Sequence, residues 1–494
     1  MGFLVPERSL ARWLGLIPPL IGMAALGAVH LAAPLGPPQA GLLASVAAPS
    51  HIESSQPALT FLYLAASRMF GLNETAVHAL ELAILAAMAG FMAVTLTRHL
   101  RHQWVAVLAP LATAGVYYQF VPFQDLAQSG MMACAPLYAC LWLATAYWSS
   151  PPRRVAGHFF SGVAGAVAAL FHPLMGAIPL MIWIIETALA RLRDHNRVSC
   201  ILSQRLLPAL VGFIGPVAAV RSFSQWDLSS LPAPAGTPDL DRYAVLTAAP
   251  WVLLGLVAIA RMRDRIWAHP FWLMVAAWAA IAPVTQAVSI WAAATPFGLL
   301  SLAGIDEAMV LLKSRGLSAR VATAVVLPAA LLAPMPAMAV WVAKARSVPE
   351  GVLLLDPEQS RQHRVATDSD YDYAWRDTRF LTKPDAGTGT ILICGGPFHY
   401  LAIRDFAPRR AMWLEALPPE REAPGWVRLR DELRAKRPAY LFLDQTSRAR
   451  FLRDTSPDRA WFDGHYELMQ QSSAGAWYRP IASVSDMSRV YRTP

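Results

Sequence analysis

The sequence predicts a polytopic α-helical membrane protein of about eleven spanning helices, followed by a small α/β domain on the non-cytoplasmic side. Three observations carry this. Only 15% of the 494 residues are charged, against about 25% in ordinary soluble domains. The deficit is concentrated in residues 13–345, where long apolar runs alternate with short basic clusters. Residues 346–494 have the mixed composition of a water-soluble globule. A membrane bundle over residues 1–345 and an extracytoplasmic domain over residues 346–494 are therefore expected.

The spans are expected near residues 13–34, 75–97, 103–120, 131–148, 156–170, 172–190, 206–220, 246–260, 268–285, 287–303 and 321–343. A segment of about 20 apolar residues crosses the hydrocarbon because a helix bonds every backbone N–H and C=O within itself. With the N-terminus in the cytoplasm, sixteen basic residues fall on the cytoplasmic side, from Arg8 and Arg12 to Lys313, Arg315 and Arg320. The opposite loops hold three, Arg68, Arg221 and Arg242. That asymmetry sets the orientation by the positive-inside rule. An odd number of spans then carries the C-terminal domain outside. Tight hairpins at Phe171–His172 and near Gln286 are needed to keep the charges alternating.

The net charge of +9 does not point to nucleic acid, because the basic residues punctuate the apolar runs singly or in pairs and form no continuous patch. Cys134, Cys140, Cys200 and Cys394 lack the spacing of a disulfide framework or a paired metal site. Arg8 and Arg12 precede an apolar run that continues to about Pro34 without a small-residue cleavage site, so the run reads as an uncleaved first helix. The Ala- and Arg-rich composition with an outer domain suggests a bacterial inner membrane.

Residues 57–72 are apolar but too short to span, and they carry Arg68. They read as an amphipathic helix in the outer interface, with Phe61, Tyr63 and Phe70 at the depth aromatic residues favour. In the C-terminal domain, 351–355, 390–394 and 439–443 read as buried strands, and 425–436 and 446–455 as helices. Their alternation predicts a small α/β globule. Gly395-Gly396-Pro397 after a strand reads as a turn, since no phosphate-loop pattern surrounds it. Residues 357–388 show no clear periodicity.

Several short motifs in order resemble the GT-C glycosyltransferases, nearest to the protein mannosyltransferases and the lipid A aminoarabinose transferases. The run from His51 through Gln56-Pro57-Ala58-Leu59 to Tyr63, then Phe70-Gly-Leu-Asn-Glu74, resembles the family's first outer loop and the opening of its second span. Ser161 to Gly176 resembles its glycine-rich helix, and Lys436–Asp444 with Tyr466-Glu-Leu and Trp477-Tyr-Arg resembles its closing strands. The resemblance implies a GT-C-like bundle with an outer domain. It also implies transfer of a sugar from a polyprenyl-phosphate donor to a lipid, glycan or protein acceptor, with inversion at the anomeric carbon. This chain departs from the pattern at four places. Leu35–Ala44 holds no acid, Gly130 stands at the second acidic position, Gln56 replaces a lysine, and Ile290-Trp291 replaces an Arg-Tyr pair.

Such a transfer needs a base or hydrogen-bond acceptor for the acceptor hydroxyl, a positive group or a divalent cation for the leaving phosphate, and an outer-face site beside the lipid. No metal ligand set is identified from sequence. Asp125, in the loop before the fourth span, and Glu53, beside His51, are the candidate catalytic acids or metal ligands; each is also readable as a solvated loop residue. Arg221, at the outer end of the seventh span, is the candidate phosphate grip, since a guanidinium binds phosphate bidentately and stays charged. His172 is expected at the start of the sixth span, and His51, Gln56 and Glu74 complete the candidate substrate contacts. Glu74 reads equally as a helix-start acid favoured by the dipole, and Arg221 and His172 as interfacial anchors. His78 and Glu81, three apart within a span, share a helix face where ionisable groups are costly and tend to be paired. Two other readings compete with the transferase. The missing acids favour a non-catalytic accessory or glycolipid-binding relative. A transporter is disfavoured by the absence of matched broken spans or an inverted repeat.

Overall fold

The apolar runs are helical wherever the computed structural model describes them. It describes residues 57–70, 74–109, 129–146, 150–194, 198–223, 253–262, 270–286, 290–332, 369–383, 389–407, 410–414, 416–417, 424–453 and 457–481, with a few isolated positions besides. The chain divides into two compact units. The first holds Glu74–Leu353 with Ile52–Met69, and the second holds Leu354–Pro494 with short pieces of the region before Glu74.

The first element fully described is α1, Pro57–Phe70. Leu59, Thr60, Tyr63 and Ala66 are buried on one of its faces, while Phe61, Met69 and Phe70 are exposed. An apolar exposed face is what an interfacial helix presents to lipid. It is followed by α2 (Glu74–Thr97), α3 (Ser129–Thr145), α4 (Pro151–Phe171), α5 (Ala177–Asp194), α6 (Leu207–Phe223), α7 (Pro270–Gln286), α8 (Ile290–Ser314) and α9 (Ala319–Leu332). A helical turn, Val198–Ile201, and a π turn, Leu202–Leu206, lead into α6. Three described helices, Ala76–Thr97, Pro151–Phe171 and Ser199–Ser222, are long and apolar enough to cross a membrane. Outward-facing Val211, Ile214 and Ile184 are more than half exposed, which fits a lipid-facing surface better than water.

The expected break at Phe171–His172 is present: α4 ends at Phe171, and the 3-10 turn Pro173–Gly176 leads into α5. His172 itself is placed differently from expectation. It ends α4, in extended backbone with its N–H on the Ala168 carbonyl, and does not begin the next span. The proline that follows disfavours helical backbone at His172, and this decides the break. The expected span at 103–120 begins as a 3-10 segment, Gln103–Leu108. The helix expected to end near residue 303 continues to Ser314 and takes Asp306 and Glu307, expected in a loop, into buried helical positions. Of the remaining expected spans, 246–260 is described and helical over 253–260, and 13–34 lies almost wholly outside the described residues.

Close packing of α4 on α6 rests on two glycines. A Cβ on Gly162 would lie 2.0 Å from the Ala209 carbonyl oxygen, and one on Gly212 would lie 2.1 Å from that of Phe159. Each helix thus presses backbone against backbone where the other has no side chain, as small residues permit in lipid-embedded helices. Ser161 ties three helices: its hydroxyl donates to the Cys140 carbonyl at 3.1 Å and accepts from Trp183 Nε1 at 2.9 Å.

The second unit is a five-stranded sheet in the order β2-β1-β3-β5-β4. β1 (Ile391–Cys394), β2 (Ala411–Leu414) and β3 (Tyr440–Asp444) are parallel; β5 (Gly475–Pro480) pairs antiparallel with β3 and with β4 (Tyr466–Gln471). Two expected strands, 390–394 and 439–443, are β1 and β3; the expected strand 351–355 lies outside the described residues. α10 (Ser369–Thr378) and α11 (Pro397–Phe406) pack together. α10 forms in the segment where no period was read, because its buried positions Tyr371, Ala374 and Thr378 are interleaved with acids. The expected helix 425–436 is α12 (Pro424–Lys436), and the expected 446–455 is the shorter α13 (Gln445–Phe451), started by Asp444, whose carboxylate accepts from the Ser447 N–H at 2.6 Å. α14 (Pro457–Asp463) follows. Strand residues alternate between faces. Leu392, Cys394, Leu441, Leu443, Ala476 and Tyr478 meet Trp426, Leu429, Leu433, Phe451 and Phe462 in one core, each large apolar side chain contributing about 1.5–3 kcal/mol. Phe442 and Trp477 face the other way, against His399.

Candidate functional site

Contacts between the helices sort their ends into two groups. At one end the Arg98 guanidinium lies 4.7 Å over the Trp142 ring, and His99 stacks on Phe271 at 3.8 Å. The Arg101 and His102 N–H groups donate to the Asp306 carboxylate at 3.1 and 2.8 Å, and His102 Nδ1 donates to the same group at 2.8 Å. Lys313 Nζ reaches His102 Nε2 at 2.7 Å. Asp306 thus closes the start of the 3-10 segment, which accounts for the helix that extends past its expected end. Arg154 donates to Gln204 at 3.1 Å, and Arg205 pairs with Glu186. The end of α2, the start of α4, the end of α5 and the approach to α6 therefore share a basic end. This is the end the charge pattern assigns to the cytoplasm.

The opposite end collects the candidate substrate-binding residues that the structure describes. α4 and α6 run parallel, since Arg154 meets Gln204 at one end and Gly162 meets Ala209 and Phe213 further along. His172 closes α4 there, and Arg221 lies exposed in the last turn of α6. His172 is buried, and its Nδ1 has no hydrogen-bond partner among the described residues. A buried polar atom without a partner costs about 1–3 kcal/mol, so a hydrogen-bonding ligand at this position would recover it. Glu74 is the first residue of α2. Asp125, Glu53, His51 and Gln56 lie outside the described residues. Among the described residues no group of three or more His, Cys, Asp and Glu is placed to hold a metal ion.

Near the start of α2, Glu81 is almost wholly buried; its carboxylate accepts from His78 Nδ1 at 3.1 Å and from the Tyr63 hydroxyl, which donates to Oε1 at 3.0 Å. The His78–Glu81 pairing was legible as a helix-face spacing. Tyr63 was not assigned to it, although its position on the buried face of α1, four residues after Leu59, carried the signal. The three side chains clamp α1 onto α2, and the carboxylate's hydrogen bonds offset its desolvation.

The sheet unit holds a second buried polar cluster that sequence reasoning missed. Asp377, at the end of α10, accepts from Trp477 Nε1 at 2.8 Å, His399 Nε2 at 3.1 Å and Gln470 Nε2 at 2.8 Å. Burial works to raise its pKa, but the hydrogen bonds from His399 and Trp477, the His399 charge and Gln470 outweigh burial and hold it below the usual aspartate value. Gly395 and Gly396, at φ +72° and +55°, turn the chain from β1 into α11 and bring His399 over the sheet. A Cβ on Gly395 would meet the Asp444 carboxylate at 2.2 Å, so the Gly-Gly-Pro segment is a turn built for close approach. Cys394 is buried, and its thiol is pushed up to about 12, chiefly by desolvation.

Comparison with solved structures identifies this architecture. The chain is similar to ArnT from Cupriavidus metallidurans in the apo state, with a TM-score of 0.56, 13% identity, and coverage of 96% of this chain and 99% of that one. It is similar also to ArnT from the same organism bound to undecaprenyl phosphate, with a TM-score of 0.53, 14% identity, and coverage of 95% and 98%. No family model matches the sequence, and no curated protein does. The likeness runs nearly end to end, and the chain has the GT-C fold that its motif order resembles.

Proposed function

We propose that the protein is a membrane glycosyltransferase that moves a sugar from a polyprenyl-phosphate-linked donor to an acceptor on the outer face of the bacterial inner membrane. The observation that carries this reading is the near end-to-end likeness to a fold whose solved example is bound to undecaprenyl phosphate. The position of His172 and Arg221, each at the end of its helix away from the basic cluster, supports it. In this reading the bundle crosses the membrane about eleven times, with the N-terminus cytoplasmic and the sheet unit outside. Arg221 neutralises charge on the departing phosphate, and His172 Nδ1 binds one of its oxygens. Asp125 and Glu53 are the candidate acid/base groups or ligands of a divalent cation, standing in for the acids missing from the family's positions; Gln56, His51 and Glu74 contact substrate.

The test is binding of undecaprenyl phosphate to the purified protein in nanodiscs. Arg221→Ala should weaken it about ten-fold or more, corresponding to a charged hydrogen bond of about 1.5–3 kcal/mol. His172→Ala should weaken it less. Unchanged affinity in both variants would reject the phosphate assignment. A second reading, a non-catalytic GT-C-like protein that binds a glycolipid, is favoured by Gly130 and Gln56 at positions where the family carries Asp and Lys. It predicts intact lipid binding with transfer in cells unaffected by Asp125→Asn and Glu53→Gln; loss of transfer in either variant would reject it.

A further inference from the structure

Outside the bundle, the sheet unit contains a cleft of about 580 Å³ between α13, α14 and the β4–β5 hairpin. That volume falls in the range of small-molecule sites, about 300–1,000 Å³. Its central cation is Arg448. Its Nε donates to the Tyr478 hydroxyl at 3.0 Å, and Tyr478 is itself buried in β5. The guanidinium is therefore held in place by a rigid, neutral partner. Several other cations of this unit are neutralised by carboxylates, Arg430 by Asp458, Arg376 by Asp372, Lys436 by Glu432 and Arg479 by Glu467, while Arg410 and Arg450 donate to backbone carbonyls outside the cleft lining. Among the described residues no carboxylate pairs with Arg448 and no acceptor besides Tyr478 takes its N–H groups, and the side chain lines the cleft. A half-buried, oriented guanidinium with unspent donors is an anion-binding group, and its planar fork suits phosphate bidentately. Arg459 lies on the same wall, paired with Asp463.

The rest of the lining limits which anion fits. Asp463 lies 3.4 Å from Arg459 and would repel a bare phosphate, but it accepts well from hydroxyl groups. Gln471 and Ser472 supply further donors and acceptors, and Leu452 with the half-exposed Leu468 gives an apolar patch. Cationic, acidic, amide and apolar groups in one cleft match a hydroxylated ring carrying a phosphate better than either part alone. We propose that this cleft binds a phosphorylated monosaccharide, whether free or as part of a lipid headgroup. The cleft lies wholly within the sheet unit, so the proposal does not depend on the transferase reading.

The test uses the full-length protein and calorimetric titration with glucose 1-phosphate, glucose and inorganic phosphate. Glucose 1-phosphate is expected to bind at least about ten-fold more tightly than either component. Arg448→Met and Arg448→Lys should each weaken it about ten-fold or more, because the lysine keeps the charge but loses the fork. Asp463→Asn should weaken glucose 1-phosphate while leaving inorganic phosphate unchanged or tighter. Arg479→Gln, in the same hairpin on the other face of the sheet, should leave the titration unaltered. Should Arg448→Met fail to fold, Arg459→Met, whose side chain is more exposed, carries the same expectation. Titration in phosphatidylglycerol nanodiscs separates the sources: weaker apparent affinity than in phosphatidylcholine assigns the cleft to a lipid-borne phosphate, and equal affinity to a soluble one. No binding, equal affinity for inorganic phosphate, or variants that titrate like the unsubstituted protein would overturn the proposal.

Discussion

Replacing Asp377 by alanine should unfasten α10 from the sheet. The carboxylate accepts three hydrogen bonds, from His399, Trp477 and Gln470. His399 and Trp477 are buried, at 3% and 0% exposure, so their N–H groups cannot find water when the acceptor goes. Gln470 is exposed and rehydrates. Two buried unsatisfied donors at about 1–3 kcal/mol each predict a loss of about 2–6 kcal/mol, with a central value of about 4. At about 1.4 kcal/mol per decade, that central value speeds opening-limited amide exchange by roughly 10³-fold. Hydrogen exchange read by mass spectrometry on the full-length protein resolves it, because the effect should be confined to peptides covering α10, α11 and β5. Exchange in the helices around Gly162 serves as the internal reference. Asp377→Asn keeps the shape and one acceptor oxygen and should cost less than the alanine. A change below about ten-fold in α10 and β5 for Asp377→Ala would refute the reasoning, since it would mean that water already satisfies these donors.

Four further outcomes follow from the same structure. Stability of the sheet unit should fall in acid: a depressed aspartate pKa stabilises fully above the unfolded value of about 3.9 and is lost as pH drops through the folded one. Melting curves of Asp377→Asn and the unsubstituted protein should therefore converge at low pH and diverge at neutral pH. Gly162→Ala should push α4 off α6, because the new methyl would overlap the Ala209 carbonyl; an overpacking cost of about 1–3 kcal/mol or more should appear as a lowered Tm. An impermeant maleimide should label Cys200, which is partly exposed, from the cytoplasmic side alone, and labelling in intact cells would reverse the orientation. Cys134, Cys140 and Cys394 are buried and should stay unmodified in the folded protein at pH 8, Cys394 additionally because its thiol is pushed up to about 12.

The division between what was legible and what was not follows the range of the forces. Hydrophobic run length is a local property, so α2, α4 and α6 could be placed from sequence. The Phe171–His172 break was legible because a proline acts on its immediate neighbour. β1 and β3 were legible as short buried runs. β2 was not read from the sequence, and β4 and β5 were visible only through the motif resemblance; β4 is exposed along almost its whole length, so no buried run announces it. Polar clusters were least legible. Asp306 meets the Arg101 and His102 backbone across 205 and 204 residues, and Asp377 meets Trp477 across 100. No local period announces such a pairing.

By itself the sequence predicted a hydrocarbon environment for most of this chain, an orientation set by its charge pattern, and an α/β unit after the bundle. Those follow from composition and from the cost of an unbonded peptide group in lipid, which every segment meets on its own. Only the tertiary structure decided that the His172 ring is buried, that Arg221 lies at the same end of the bundle, that Tyr63 shares Glu81 with His78, and that Arg448 is held by a phenol in a cleft. The last two depend on groups apart in sequence being brought within about 3 Å, where a hydrogen bond outweighs desolvation, and that closeness exists only once the chain is folded.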